Sequence, residues 1–483
     1  MRSRIDDMTA FRWRAALALG MILAPAAATA QGFQINEHGM CATGRGGTGI
    51  ALPCGDGSSI WFNPAGIVGG TGMTLGVGTH FVVAGGAFTD DFTGRETDLQ
   101  NGAIPVPHVY ATYGVSDRLA FGLGAFVPYG LGTEWPATFA GRYLGYDNSL
   151  FSIYVQPTIA IKPHPMISVG AGVDAIVSTV RLTQRIDLSS QIVDEATGTT
   201  FGQLGIPPGT DFASVQLRGT GAMKFAAHVG VMLRPTEWLR FGARYLSGAR
   251  IVYAGRVDFQ PVPTGVVLPP GNPISLAEPL LPDDQPLPLD DLLGTLGLFL
   301  PGAPLADSTG TASIAMPQQF RLGAAVRVRP GVWVMAEWHW TDWSAYDEVP
   351  VDFDNPLTPD LTVDGSYVDV HTFKGGVEWE PNERWTVRAG YLRHAGASPD
   401  HNVTPLLPEG DRNAFSGGVG LKLSERLMLD VGYQFIRQDH RRGRVVDPPP
   451  GATPQQVVDK VNSGLFTFSG HQIGATMTFR LFR

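Results

Sequence analysis

The residues of this chain whose types could do chemistry are eleven histidines, two cysteines and arginines that recur at fixed parity in several segments. Hydrolysis through a serine or cysteine nucleophile needs a histidine base and a third group that orients it. The histidines are scattered, and none sits in such a motif. His339, in Glu337-Trp338-His339-Trp340, shares a strand face with Glu337 on a two-residue period; a polar wall is the simpler reading than a base. No catalytic residue is assigned, and no cofactor or metal is called for. Cys41 and Cys54 do not resemble a zinc site, which takes four ligands. In an oxidising compartment they would form one disulfide, worth on the order of 3 kcal/mol by chain entropy; the alternative is two buried thiols.

The compartment is written in residues 1–30. Arg2, Arg4, Arg12 and Arg14 precede the apolar run Ala15 to Leu23, and small residues follow, ending Ala28-Thr29-Ala30. This pattern predicts a cleaved secretory signal, because the apolar run is about half the length of a membrane span. Removing its four arginines and two aspartates from the formal charge of −9 leaves −11, so nothing in the charge invites nucleic acid. No later window offers the roughly 18 uninterrupted apolar residues of a transmembrane helix. A chain that spans a membrane without such helices must close into a barrel, and 61 Gly, 25 Phe, 12 Tyr and 10 Trp suit strands and aromatic girdles.

Two kinds of element would position these residues. Residues 31–70 are too rich in glycine for a helix and too broken for a strand. Phe33, Ile35, Ile50, Leu52, Ile60, Trp61 and Phe62 nevertheless want burial, which predicts a compact plug held by its surroundings. From residue 71 to 483 the pattern has period two. In the last segment Ile473, Ala475, Met477, Phe479 and Leu481 alternate with Gln472, Gly474, Thr476, Thr478 and Arg480. Further segments place Arg240, Arg244, Arg321 and Arg388 on one parity, and an arginine facing lipid at mid-depth costs roughly 2–4 kcal/mol, so that parity faces inward. Six short turns alternate with seven long connections, which join fourteen strands. The predicted fold class is all-β: a transmembrane antiparallel β-barrel of about fourteen strands with an N-terminal plug in its lumen. Val127-Pro128-Tyr129-Gly130 ends the third strand, where Pro128 cannot donate to the ladder and Gly130 relaxes it.

GFQINE at the expected mature start, followed by a Gly-rich stretch and FNPAGI at Phe62 to Ile67, resembles the N-terminal hatch of the FadL family of outer-membrane long-chain fatty acid transporters. YGLGTEW (Tyr129 to Trp135), TDWSAY (Thr341 to Tyr346) and PLLPEGDRNAFSGGVG (Pro405 to Gly420) carry the resemblance over nearly the whole mature chain. It implies a Gram-negative outer-membrane protein that takes up long-chain fatty acids or similar hydrophobic molecules by passive diffusion. It also implies an inward kink at Pro128 and Gly130 that opens the wall sideways to outer-membrane lipid. Phe33, Asn63, Pro64 and Ala65 would be the hatch residues beside that gap, with the Asn63 amide pairing across it.

In such transporters extended loops form a hydrophobic capture groove. The matching position here is the loop 261–311, whose Leu289, Leu292, Leu293, Leu296 and Leu300 fall at helical spacing beside Phe299. Leu292, Leu293, Leu296 and Phe299 are therefore candidate substrate contacts, with loops capped against one another as the other reading. Arg181 and Arg185, at the outer end of the fifth strand, are candidates for the fatty-acid carboxylate, which a guanidinium fork matches bidentately. An aromatic hydrocarbon channel of the same family is the rival. A polar porin conflicts with the plug, and an outer-membrane lipid hydrolase lacks its motif. A monomer is expected, assembled by machinery that reads a terminal aromatic, although here Phe482 is followed by Arg483.

Overall fold

The computed structural model describes residues 32–91, 93–194, 198–272, 274, 285–443 and 463–482; the expected signal segment and Arg483 lie outside them. Fourteen antiparallel strands form a closed barrel. They are β1 (Gly72–Asp90), β2 (Ile104–Ser116), β3 (Leu119–Glu134), β4 (Asp147–His164) and β5 (Ile167–Asp187). Next come β6 (Asp211–Gly221 and Lys224–Leu233), β7 (Leu239–Leu246 and Ala249–Pro261) and β8 (Ser308–Met316 and Gln319–Arg329), each in two segments. The last six are β9 (Val332–Thr341), β10 (Val370–Trp379), β11 (Trp385–His394), β12 (Arg412–Ser424), β13 (Leu427–Gln438) and β14 (Gly464–Phe482). Closure is by β1 against β14, from Met73 opposite Phe482 to Asp90 opposite Gly464. Short turns and long loops alternate as the sequence predicts.

The two faces also sort as expected. On β14 Ile473 is 53% exposed and Gln472 5%, so the apolar parity faces out and the polar parity faces the lumen. Arg244, Arg321 and Arg388 are all buried inside the wall.

Residues 32–70 fill the lumen. Their glycines allow close approach to the wall: Gly46 and Gly47 have φ of 75° and 69°, and a Cβ on Gly390 of β11 would meet the Gly46 nitrogen at 2.1 Å. Polar bonds tie this hatch to strands all around the barrel. The Gly49 and Ile50 amides donate to one Glu337 oxygen at 2.7 Å each, and Glu337 Oε2 holds His339 at 3.0 Å. Arg45 pairs with Glu378 at 3.0 Å, and Glu378 also takes Arg388 at 2.7 Å. Met40 N donates to Thr476, Gly46 N to Ser416, and Gln156 to the Ile60 carbonyl. Two guanidiniums, Arg244 at 4.2 Å and Arg321 at 5.1 Å, lie over the Trp61 ring. Cys41 and Cys54 are disulfide-bonded within this segment, with Cα atoms 6.1 Å apart.

The loop 262–307 contains a short helix, Leu289–Thr295. Leu289, Leu292 and Leu293 are buried there against Leu188 and Ile206 of the neighbouring outer loop and Phe212 at the start of β6. The helical spacing thus serves a loop-on-loop core. Phe299 packs beside it, and of the four candidate substrate contacts only Leu296 is largely exposed.

Candidate functional site

Between β2 and β3 the wall comes apart. Their pairing ends at Val109 opposite Ala125, although β2 continues outward to Ile104 and β3 to Glu134. Beyond that point β3 keeps only β4, through a register shift between Phe126 and Tyr129. Pro128 sits in the shift, as the sequence predicts for a residue that cannot donate. The freed stretch of β2 carries Pro105 and Pro107, which offer no N–H to a neighbour. These two prolines are a local signal of the break that the sequence also carries.

The hatch supplies the pairing that β2 withholds. Ile35 N donates to the Pro128 carbonyl at 2.8 Å, Gly130 N donates to the Phe33 carbonyl at 3.0 Å, and Gln34 bridges Tyr129. The start of the hatch thus pairs with β3 from inside the lumen and holds the kink inward. Above the gap, loop 91–103 closes back onto β3: Gln100 N donates to the Glu134 carbonyl, and the Asn101 side chain accepts from Glu134 N and donates to the Gly132 carbonyl.

Four of the five motifs that carry the family resemblance converge here, all but Phe62–Ile67. The Phe33 ring meets Trp343 edge-on at 4.8 Å, Tyr346 at 5.6 Å and Tyr129 at 6.0 Å. Tyr129 reaches across the lumen, donating to the Pro317 carbonyl and accepting from Gln319. Gly32 N donates to Glu409, whose second oxygen accepts from Ala397 N. Thr133 and Trp135 donate to the Leu406 and Pro405 carbonyls. Trp343, Tyr346 and Glu409 were absent from the residues singled out by sequence, although each lies within a stretch that resembles the family.

Asn63, Pro64 and Ala65 are elsewhere, and the expectation that Asn63 pairs across the β3 gap is corrected. Its amide donates to the Ile50 carbonyl of the hatch at 2.9 Å and to the Val231 carbonyl of β6 at 3.0 Å, while its oxygen accepts from Ala65 N. The Ala65 carbonyl accepts from Ser168 of β5, and a Cβ on Gly170 would meet the Pro64 carbonyl carbon at 2.3 Å. The turn Pro64–Gly66 therefore docks on β5 and β6, because Gly170 leaves room for its backbone and Gly230 for the Asn63 side chain. Toward β3 the hatch presents Ile60, against Gly122 and Gly124, below the kink.

A cavity of about 490 Å³ adjoins the kink. Its floor is the hatch segment Gly32–Ile35 with Glu37. Inward-facing residues of β1, β2, β11, β13 and β14 line one side, among them Val82, Val106, His394, Gln434 and Gln472. Its lining also includes Asp147, Ser149, Phe151 and Arg181, which belong to the outward parity of β4 and β5. A single space is thus lined by residues of both faces of the sheet. Arg181 lies at its outer mouth, 2.9 Å from Asp147, whereas Arg185 stacks over Tyr146 farther out. On the inner side the cation is Arg412, whose Nε donates to Gln438. Leu292, Leu293, Leu296 and Phe299 do not line this cavity.

A closed fourteen-strand barrel with a lipid-type outer face and a sealed polar lumen defines an outer-membrane transport protein. Residues 21–461 match the family described as outer membrane protein transport protein (OMPP1/FadL/TodX), and the chain belongs to that family. It is 22% identical over 432 residues to the long-chain fatty acid transport protein of Escherichia coli O6:H1, covering 88% of this chain and 90% of that one. It is also 22% identical over 455 residues to outer membrane protein P1 of Haemophilus influenzae, covering 87% and 89%. Among solved structures it resembles a Pseudomonas aeruginosa FadL homologue, with a TM-score of 0.73 at 19% identity over 93% of this chain and 100% of the other. The Pseudomonas putida toluene transporter TodX gives 0.66 at 17% identity over 93% and 99%.

Proposed function

We propose that this protein is a passive channel for long-chain fatty acids or similar amphiphilic hydrophobic molecules, and that they leave sideways through the gap between β2 and β3. The observation that carries the reading is the cavity shared by both faces of the wall at the β3 kink. Directly below it the lumen is sealed by the hatch. Continuing straight down would expose the tail to periplasmic water at about 0.8 kcal/mol per CH₂, so a route into the bilayer is favoured. The chemistry proposed is binding and diffusion, with His339 and Glu337 as a hatch anchor.

Arg412, facing the cavity from inside, favours a substrate with a carboxylate over a neutral aromatic hydrocarbon. Uptake of a labelled long-chain fatty acid, in cells that depend on this protein, tests both parts. Gly132→Phe places a ring against Ile104 across the gap, where even a Cβ would come within 2.8 Å. It should cut uptake severalfold at unchanged outer-membrane abundance. Arg412→Met should weaken fatty-acid uptake and spare toluene. Full uptake by the Gly132 variant would rule out the lateral exit, and equal effects on both substrates would rule out Arg412 as the carboxylate's partner.

A further inference from the structure

The outer wall of β5, β6 and β7 carries charge in an unusual register. Arg181 stands directly opposite Arg218, and Arg218 directly opposite Arg256, so three arginines lie side by side across three strands. All three are on the outward parity, since their neighbours Val180, Leu217 and Val257 are buried inside. Adjacent Cβ atoms in such a row are roughly 5 Å apart, and like charges at that spacing destabilise the sheet. Compensation within the chain is incomplete. Arg181 has Asp147 at 2.9 Å and Arg256 has Asp258 at 3.5 Å, but no carboxylate among the described residues pairs with the central Arg218.

The level of the row is as informative as its charge. Along β5 the outward apolar residues run from Ile167 to Val177, all on the lipid-facing parity. Ten residue steps of about 3.3 Å, tilted as barrel strands are, span roughly 25 Å, the height of a hydrocarbon band. The exposed Phe225 on β6, with Met223 in the break between its two segments, marks the upper edge. The arginine row comes next, past Thr179 and Thr220, at the depth where outer-leaflet headgroups begin.

Above the row the same face opens into a polar pocket of about 470 Å³. The next register positions outward are Thr183, Gln216 and Asp258, then Ser214 and Gln260, with Tyr146 and Asp307 at its sides. Gln216 donates to Thr183, and Asp307 accepts from the Phe259 amide. Hydroxyls and amides outnumber carboxylates in this lining, which suits a sugar. Of its lining residues only Phe259 and Tyr146 bring an aromatic ring, too little apolar wall for a substrate tail.

We propose that this outer face binds the headgroup of a phosphorylated glycolipid of the outer leaflet, with a phosphate on Arg181, Arg218 and Arg256 and the sugar in the pocket above. Guanidiniums on three strands suit a tetrahedral dianion, and the acyl chains would lie along Val177 and Phe225 below. The bound lipid offsets the repulsion within the row and seats the barrel at a fixed depth beside its lateral opening.

The full-length protein in detergent, stripped of lipid, would be titrated with bisphosphorylated lipid A and read by native mass spectrometry. One lipid per barrel is expected. Arg218→Gln combined with Arg256→Gln should lower the bound fraction about tenfold, the loss typical of removing charge-assisted phosphate contacts. Heat-modifiable gel mobility would show that this variant folds, as removal of two like charges predicts. Dephosphorylated lipid A should bind no better to the native protein than bisphosphorylated lipid A binds to the variant, and inorganic phosphate in large excess should displace little. Equal retention by native and variant protein would overturn the site. Full displacement by inorganic phosphate would overturn the lipid assignment.

Discussion

Glu337 shows how one side chain can hold the hatch in register. It accepts the Gly49 and Ile50 amides with one oxygen and faces His339 with the other, all of them buried. Glu337→Ala leaves two hatch N–H groups without an acceptor in a site closed to water, at about 1–3 kcal/mol for each. The barrel wall does not depend on these bonds, so the expected outcome is a folded barrel with a loosened hatch. Ion conductance through single proteins in planar bilayers should rise from near silence to frequent openings. Glu337→Gln keeps an acceptor for the amides and should stay close to the native conductance.

At the scale of elements, the hatch and β3 act as one unit, because the hatch pairs with the kinked strand while its other edge is tied to the far wall. The kink therefore depends on the hatch staying seated, and His38 makes that seating sensitive to acid. It lies in the hatch beside Trp61 and Phe126, with Nε2 3.1 Å from the Ile35 carbonyl. Burial, aided by His80, His108 and Arg321, holds its imidazole well below the ordinary histidine range, against the opposing hydrogen bond to Ile35. The folded state thus keeps His38 neutral at pH values where the unfolded chain binds a proton. The stability that His38 contributes must fall as pH drops below about 6.5, by up to about 1.4 kcal/mol per pH unit for this one group. Heat-modification midpoints measured between pH 7.5 and pH 5 should decline, and His38→Gln should flatten that decline. An unchanged slope in the variant would assign the acid sensitivity to other groups.

For the whole molecule, what was legible in the sequence follows from how far each signal reaches. A strand states its two faces within a few residues, so the barrel, its strand number and its short and long connections could be read directly. The break in β3 was legible for the same reason, since Pro128 acts locally. What the hatch touches was not legible: Gly32 meets Glu409 across 377 residues, and Asn63 meets β6 across 168. Nor could the spacing of Leu289, Leu292 and Leu293 reveal whether substrate or a second loop would cover them. The local part of the reading has a sharp test in two adjacent residues of β14. Ile473 faces lipid and Gln472 faces the cavity, so exchanging either for arginine changes the same stretch of strand but opposite sides of the wall. Ile473→Arg should cost roughly 2–4 kcal/mol if it sits near mid-membrane, enough to deplete the assembled, heat-modifiable form. Gln472→Arg adds a charge to a wall already lined with Arg412, Gln434 and Gln438, and should assemble at native levels. Equal assembly of the two variants would mean that β14 does not present the faces described, and with them the inward and outward assignment of every neighbouring strand would fall.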